Sequence, residues 1–275
     1  MAIITRFMDA SKPHPRKLKG VRYSAALSTK YYKVLRQMLD WMQAEFDRTV
    51  VRGLSTKEMV KKTETMIYDE SPNERYKKML ALFNKKMRGK FPRKVIEKLV
   101  RKALESSSNY SQKEFDRKLK SFGIDFKGGT QKYSSYMSTA VEENVMLVKN
   151  LMDEQAKRLK SVVLRGMREG IPSTRLAGDI QRSLGISKRR AATIARTETH
   201  KVTQQIADYR AEEAGLTEGI WRAMMDNRTS TQHASFNGRK FNLKKGLWDP
   251  KTRSWNWPGR RPNCRCYTEY IIPGD

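Results

Sequence analysis

The sequence predicts a mainly α protein, a helical N-terminal body with long helices followed by a small α+β C-terminal module. Three observations carry that class. Apolar residues recur at three- and four-residue steps through most of residues 28–215. After Gly215 the texture changes to short β-prone pieces separated by Asp, Asn, Gly and Pro. Trp221, Trp248, Trp255 and Trp257 all fall in that last stretch, as expected of a module with its own core.

Taken in order, residues 1–27 mix basic side chains with Pro13 and Pro15 and show no period, which reads as a basic extended arm that includes His14. A helical basic domain follows over 28–130. Its first helix runs to about Val51 on Tyr32, Leu35, Met38, Leu39, Met42 and Phe46; later stripes are Tyr76, Met79, Leu80, Phe83 and Val95, Ile96, Leu99, Val100, Ala103. Residues 131–215 read as a helical hairpin region. A long helix from Gln131 to Glu169 is ended by Gly170 and Ile171-Pro172. Ser173 caps a second helix that stops at Gly185, and Ser187 caps a third that reaches Gly215. Residues 216–275 form the small module, with strands expected in GIWRAMM, RKFNL and CYTEYII.

Charge narrows the function. Against 29 Asp and Glu stand 57 Lys and Arg, a net of +28 spread along the chain. Such an excess repels itself and calls for a polyanion, which for a soluble protein made in a cytoplasm is most readily double-stranded DNA bound without sequence reading. An acidic protein or membrane surface is the alternative counter-charge. No apolar run resembles a signal peptide or is long enough to span a bilayer, so no membrane segment is expected. Cys264 and Cys266, the only cysteines, are separated by one residue, which excludes a disulfide framework.

Four patterns are candidate sites. LGISKRRAATIA, residues 184–195, has the spacing of a helix-hairpin-helix whose glycine turn would offer backbone N–H groups to a phosphate beside Lys188, Arg189 and Arg190; two capped helices meeting at a glycine give the same pattern without DNA. Arg196 and His200 share a helical face, whereas Glu198 and His200, two apart, point to different sides, which opposes an acid/base pair. His233, Cys264 and Cys266 supply three soft ligands that Asp226 or a water would complete as a zinc site; otherwise Asp226 and Arg228 tie loops together and the thiols are packed. A triad of Ser230 or Ser235 with His233 and Asp226 lacks the glycine-flanked elbow such a nucleophile needs. No catalytic residue and no required cofactor is assigned from these patterns.

In sequence order, ARTET, which contains Arg196 and Glu198, then GLTEGIWRAMMDNRTSTQH, NG and PNCRC resemble the phage Mu protein F-like family, minor head proteins of tailed bacteriophages. The resemblance covers about residues 150–272 and rests on Trp221, Asp226, Arg228, Thr229, His233, Gly238, Asn263, Cys264, Arg265 and Cys266. It implies a non-enzymatic, low-copy component of the virion, made in the host cytoplasm and placed inside the head near the portal. Implied partners are the portal protein, the major capsid or scaffolding protein and genomic DNA, with a role in packaging or ejection. Ser230 stands where a cysteine is frequent in the family and Arg261 where a histidine is, and both departures weigh against a family zinc site. Some relatives carry a fused toxin domain; with Asp275 last, none is expected here. The alternative reading is a nucleic-acid-processing enzyme or a zinc-dependent nucleic-acid-binding module using Asp226, His233, Cys264 and Cys266.

Overall fold

A computed structural model describes residues 17–54, 72–126, 131–169 and 173–272. The order is β1 (Lys17–Leu18), α1 (Ala25–Phe46) with a π turn (Asp47–Val51) and a 3-10 turn (Arg52–Leu54), α2 (Pro72–Lys90), α3 (Arg93–Lys120), α4 (Gln131–Glu169) and α5 (Ser173–Glu213). Then come β2 (Glu218–Arg222), α6 (Thr231–Phe236), β3 (Lys240–Asn242), β4 (Leu247–Asp249), β5 (Ser254–Asn256) and β6 (Tyr267–Ile271). The mainly α class with a small strand-containing C-terminal module is what the sequence led one to expect. His14 and most of the expected arm lie outside the described residues, as do Gly170, Ile171 and Pro172.

The chain divides into two compact units, each assembled from distant segments. One holds the described residues up to Tyr31, Val100–Asn144 and the chain from Thr193 on; the other holds Tyr32–Leu99 and Val145–Ala192. These units combine parts of the segments 28–130 and 131–215 that the sequence reading separates. Stripe periodicity reveals which face of a helix is buried, not which helix covers it.

The second helix does not stop at Gly185. Residues 173–213 form one helix, so the expected turn at Gly185-Ile186-Ser187 is absent. A helical glycine costs about 1 kcal/mol relative to alanine. Here the buried stripe of Ile180, Leu184, Ala191, Ile194 and Ala195 continues across it, and burial of such side chains outweighs the glycine. Ser187, expected as a cap, instead donates to Gln155 Oε1 at 2.6 Å inside the second unit. In the same unit Glu45 is buried and accepts from Lys86 Nζ at 2.7 Å and Thr49 Oγ1 at 2.7 Å, which holds its carboxyl below the usual range.

The first unit is built on an antiparallel sheet ordered β1-β6-β2-β3, with β4 and β5 as a separate hairpin. Its core joins Phe115 and Leu119 of α3 and Ala207 and Ala211 of α5 to Trp221, Phe241 and Tyr270 of the strands. Gly20 admits no side chain, because a Cβ there would lie 1.8 Å from the Thr268 carbonyl oxygen. Trp221 is core as expected, whereas Trp248 and Trp255 are 41% and 50% exposed and pack on each other at 5.3 Å on the hairpin.

Asp208 of α5 lies inside this unit at 1% exposure, accepting from Tyr270 Oη at 3.0 Å with Arg260 Nη2 3.4 Å away. Burial raises its carboxyl from 3.8 to about 6. The folded chain thus holds this proton more tightly than the unfolded chain, so the stabilising contribution is full below about pH 4 and is lost as pH rises through about 6. In urea unfolding, the stability of the native protein relative to Asp208→Asn is expected to fall by about 2 kcal/mol between pH 4 and pH 7. A difference that does not change with pH would contradict the burial.

Candidate metal centre

Three short segments build the centre. The first is the turn before α6, where Asp226 Oδ1 accepts from the Arg228 backbone N–H at 3.1 Å and the Asp226 carbonyl accepts from Thr229 N at 2.9 Å. Ser230 then caps α6, its Oγ accepting from His233 N at 3.3 Å. Ser230 thus acts as a cap, which fixes the turn carrying His233. After α6, Gly238 takes φ 82°, and its N–H donates to the Trp221 carbonyl at 2.8 Å. Trp221 presents its ring edge-to-face to His233 at 5.7 Å and Phe236 at 5.0 Å.

The third segment is Asn263–Cys266. Asn263 adopts φ 57°, donates from its N–H to Thr197 Oγ1 at 3.0 Å and accepts from Arg196 Nη2 at 2.8 Å. From there the chain leads into β6, which begins at Tyr267. Arg265 points one way, with Nη1 donating to Asp226 Oδ2 at 2.6 Å and Nη2 to Asp226 Oδ1. Cys264 and Cys266 point the other way, both toward His233, with Sγ to Nδ1 distances of 3.5 Å and 3.6 Å.

Both thiols are buried, and the three donor atoms lie within 4.8 Å of one another. Hydrogen bonds from Cys266 and His233 hold the Cys264 thiol well below the usual range, and the same partnership with Cys264 pushes Cys266 up. The donor set fits zinc. A tetrahedral zinc with bonds of about 2.3 Å to sulfur and about 2.0 Å to nitrogen separates those donors by about 3.5 Å. A cavity of about 130 Å³ lined by Ser230, His233, Cys264 and Cys266 adjoins the three donors and leaves room for a fourth ligand. Asp226 is not that ligand, since both its oxygens are taken by Arg265.

The other expected residues go elsewhere. Glu198 accepts from Asn144 Nδ2 at 2.9 Å, and His200 Nε2 donates to the Cys266 carbonyl at 2.8 Å, so the two do point to different sides of α5. Lys188, Arg189 and Arg190 sit in mid-helix, where backbone N–H groups are already used, so the expected phosphate cradle does not form; Lys188 pairs with Asp40 at 2.6 Å and Arg190 pairs with Glu154. Ser235 Oγ donates to the Gln232 carbonyl at 2.8 Å and is no nucleophile for His233. Sequence reasoning missed Gln204, whose Nε2 donates to the Val21 carbonyl at 2.6 Å and whose Oε1 accepts from Thr268 N at 3.2 Å. A signal existed: Arg196, His200, Gln204 and Asp208 recur every four residues on one helix.

Arg196, Asp226, Thr229, His233, Asn263 and Arg265 thus belong to one loop-locking arrangement. Residues 157–269 match the Phage Mu protein F like protein family. The resemblance read from ARTET through PNCRC holds over this segment. An uncharacterized protein of Haemophilus influenzae is 28% identical over 123 residues, 45% of this chain and 26% of the relative. The chain therefore spans about a quarter of that relative's length. No solved structure matches.

In the Mu F-like segment, the Arg265 pair holds the Asp226 carboxyl well below the usual carboxylate range. Its stabilising contribution is present above the unfolded value of about 4 and is lost as pH falls. Between pH 5 and pH 3 the thermal midpoint of the native protein is expected to drop by more than that of Asp226→Asn, which should start lower at pH 5. Equal drops in the two proteins would show that the pair does not lock this loop.

Proposed function

We propose that the chain is a minor head protein of a tailed bacteriophage, associating with portal and major capsid or scaffolding protein during head assembly and contacting genomic DNA without sequence preference. The observation that carries this reading is the match of residues 157–269 to the Mu F-like family. The net charge of +28 suits a protein that lies against DNA inside a head. No helix among the described residues is long and apolar enough to cross a membrane. A non-enzymatic role is supported by the engagement of the acids: Asp226 is held by Arg265 and Glu198 by Asn144, which leaves His233 no carboxylate partner of the expected set.

Zinc belongs to the same proposal. His233, Cys264 and Cys266 would hold it, and its charge would neutralise the thiolates and pin α6 to the terminal segment. A zinc-dependent nucleic-acid-binding module outside any phage particle is the second reading, favoured by the donor set alone.

Quantitative mass spectrometry of purified particles and empty procapsids is expected to recover the chain at a few copies in both. Elemental analysis of the isolated protein should give one zinc per chain, lost in Cys264→Ser. DNA affinity should be equal for unrelated sequences and fall at least about tenfold between 50 and 200 mM salt. Absence from both particles overturns the head-protein reading; affinity unchanged by salt overturns the DNA contact.

A further inference from the structure

A second and larger cavity, about 480 Å³, shares Arg228, Asn263 and Arg265 with the cavity of the metal centre. Its walls come from separate stretches of the first unit: Arg22 after β1, Arg196 and His200 on α5, Arg228 after β2 and Arg265 before β6. Four guanidinium groups in one wall repel one another unless a counter-charge is present. The nearby carboxylate, Asp226, is engaged by Arg265 and lies 3.5 Å from Arg228. Among the described residues no carboxylate pairs with Arg22 or Arg196. Arg22 lies over the Tyr267 ring at 5.3 Å, and Arg196 donates to the neutral Asn263 amide at 2.8 Å. Planar guanidinium forks converging on a concave wall suit a phosphate oxyanion.

His200 adds a second, independent demand. Its ring is 2% exposed, and because Nε2 donates to a carbonyl, the proton sits there and Nδ1 carries a lone pair. Nδ1 is buried with no partner. Nε2 and Cδ2 lie on the Gly259 side, where a Cβ would come within 2.9 Å and 3.1 Å of them, and His200 also lines the cavity. A buried acceptor without a donor is costly, and a ligand that brings a hydroxyl or amino group removes that cost. Sulfate offers charge and no donor, and a duplex backbone offers acceptors alone. A nucleotide offers both a phosphate and donors on its sugar and base.

We infer that this cavity binds one nucleotide unit, with its phosphate on Arg22, Arg196 and Arg228 and a sugar or base donor on His200 Nδ1. The Tyr23 and Tyr267 rings in the wall provide apolar surface for the remainder. A free mononucleotide and the phosphorylated end of a single strand carry the same group. The site goes beyond diffuse attraction to DNA and stands whether or not the chain resides in a phage head.

Calorimetric titration of the full chain with adenosine monophosphate, a 5′-phosphorylated single-stranded tetranucleotide and sulfate tests it. Saturable binding at one per chain is expected for at least one of the two nucleotide ligands, with sulfate at least tenfold weaker. The tighter of the two nucleotide ligands identifies the source. Arg22→Gln with Arg196→Gln should weaken binding at least tenfold, the single exposed change Arg22→Gln about threefold, and Arg189→Gln not at all, with circular dichroism confirming that each variant is folded. No saturable nucleotide binding, sulfate binding as tightly as nucleotide, or binding unchanged by the Arg22 and Arg196 substitutions would overturn the inference.

Discussion

Four side chains at four-residue intervals on α5 hold the end of the chain in register. Arg196 bonds Asn263, His200 bonds the Cys266 carbonyl, Gln204 bonds the Thr268 amide, and Asp208 bonds Tyr270. Four residues advance a helix by about 6 Å, and two residues advance a strand by about 6.7 Å. The near-equality lets His200, Gln204 and Asp208 on one helical face read out the alternate positions Cys266, Thr268 and Tyr270. The bonds of His200, Gln204 and Asp208 satisfy buried polar groups that would otherwise cost free energy, so they oppose slippage more strongly than apolar packing alone. Gln204 also reaches back to Val21, and Gly20 lets the segment after β1 approach Thr268 closely, so this segment is tied to the same helix.

The grouping of His233 with Cys264 and Cys266 is a consequence of that register. A slip of one residue would turn Cys264 and Cys266 to the side now held by Arg265, and would face Arg265 toward His233. With the register fixed, two cysteines one residue apart become a pair on one side, and the intervening arginine becomes the clamp on Asp226. That arrangement explains why the two thiols are separated by a single residue. It also explains why Ser230 is compatible with the fold, since its hydroxyl caps the helix that carries His233.

Much of this was legible in the sequence. Helical stripes gave the bounds of α4 and the start of the strand-bearing module, because apolar period follows directly from burial. The grouping of His233 with Cys264 and Cys266 followed from their being the soft ligands within one module. The false break at Gly185 arose because glycine and serine signal a turn only where no continuous buried face overrides them, and Ile180 to Ala195 form such a face. Arg22 and the unpaired Nδ1 of His200 were not legible. Which distant side chains enclose a cavity depends on β1 pairing with β6, a contact across more than 250 residues that no local pattern encodes.

The ladder can be tested at its centre. Gln204→Leu keeps the side chain's bulk and removes both of its bonds. Hydrogen exchange followed by mass spectrometry should show protection falling at least tenfold in the segments around Val21 and around Cys266–Thr268 together, while α2 is unchanged. Protection retained at both places would contradict the claim that α5 sets the register of the terminal strand.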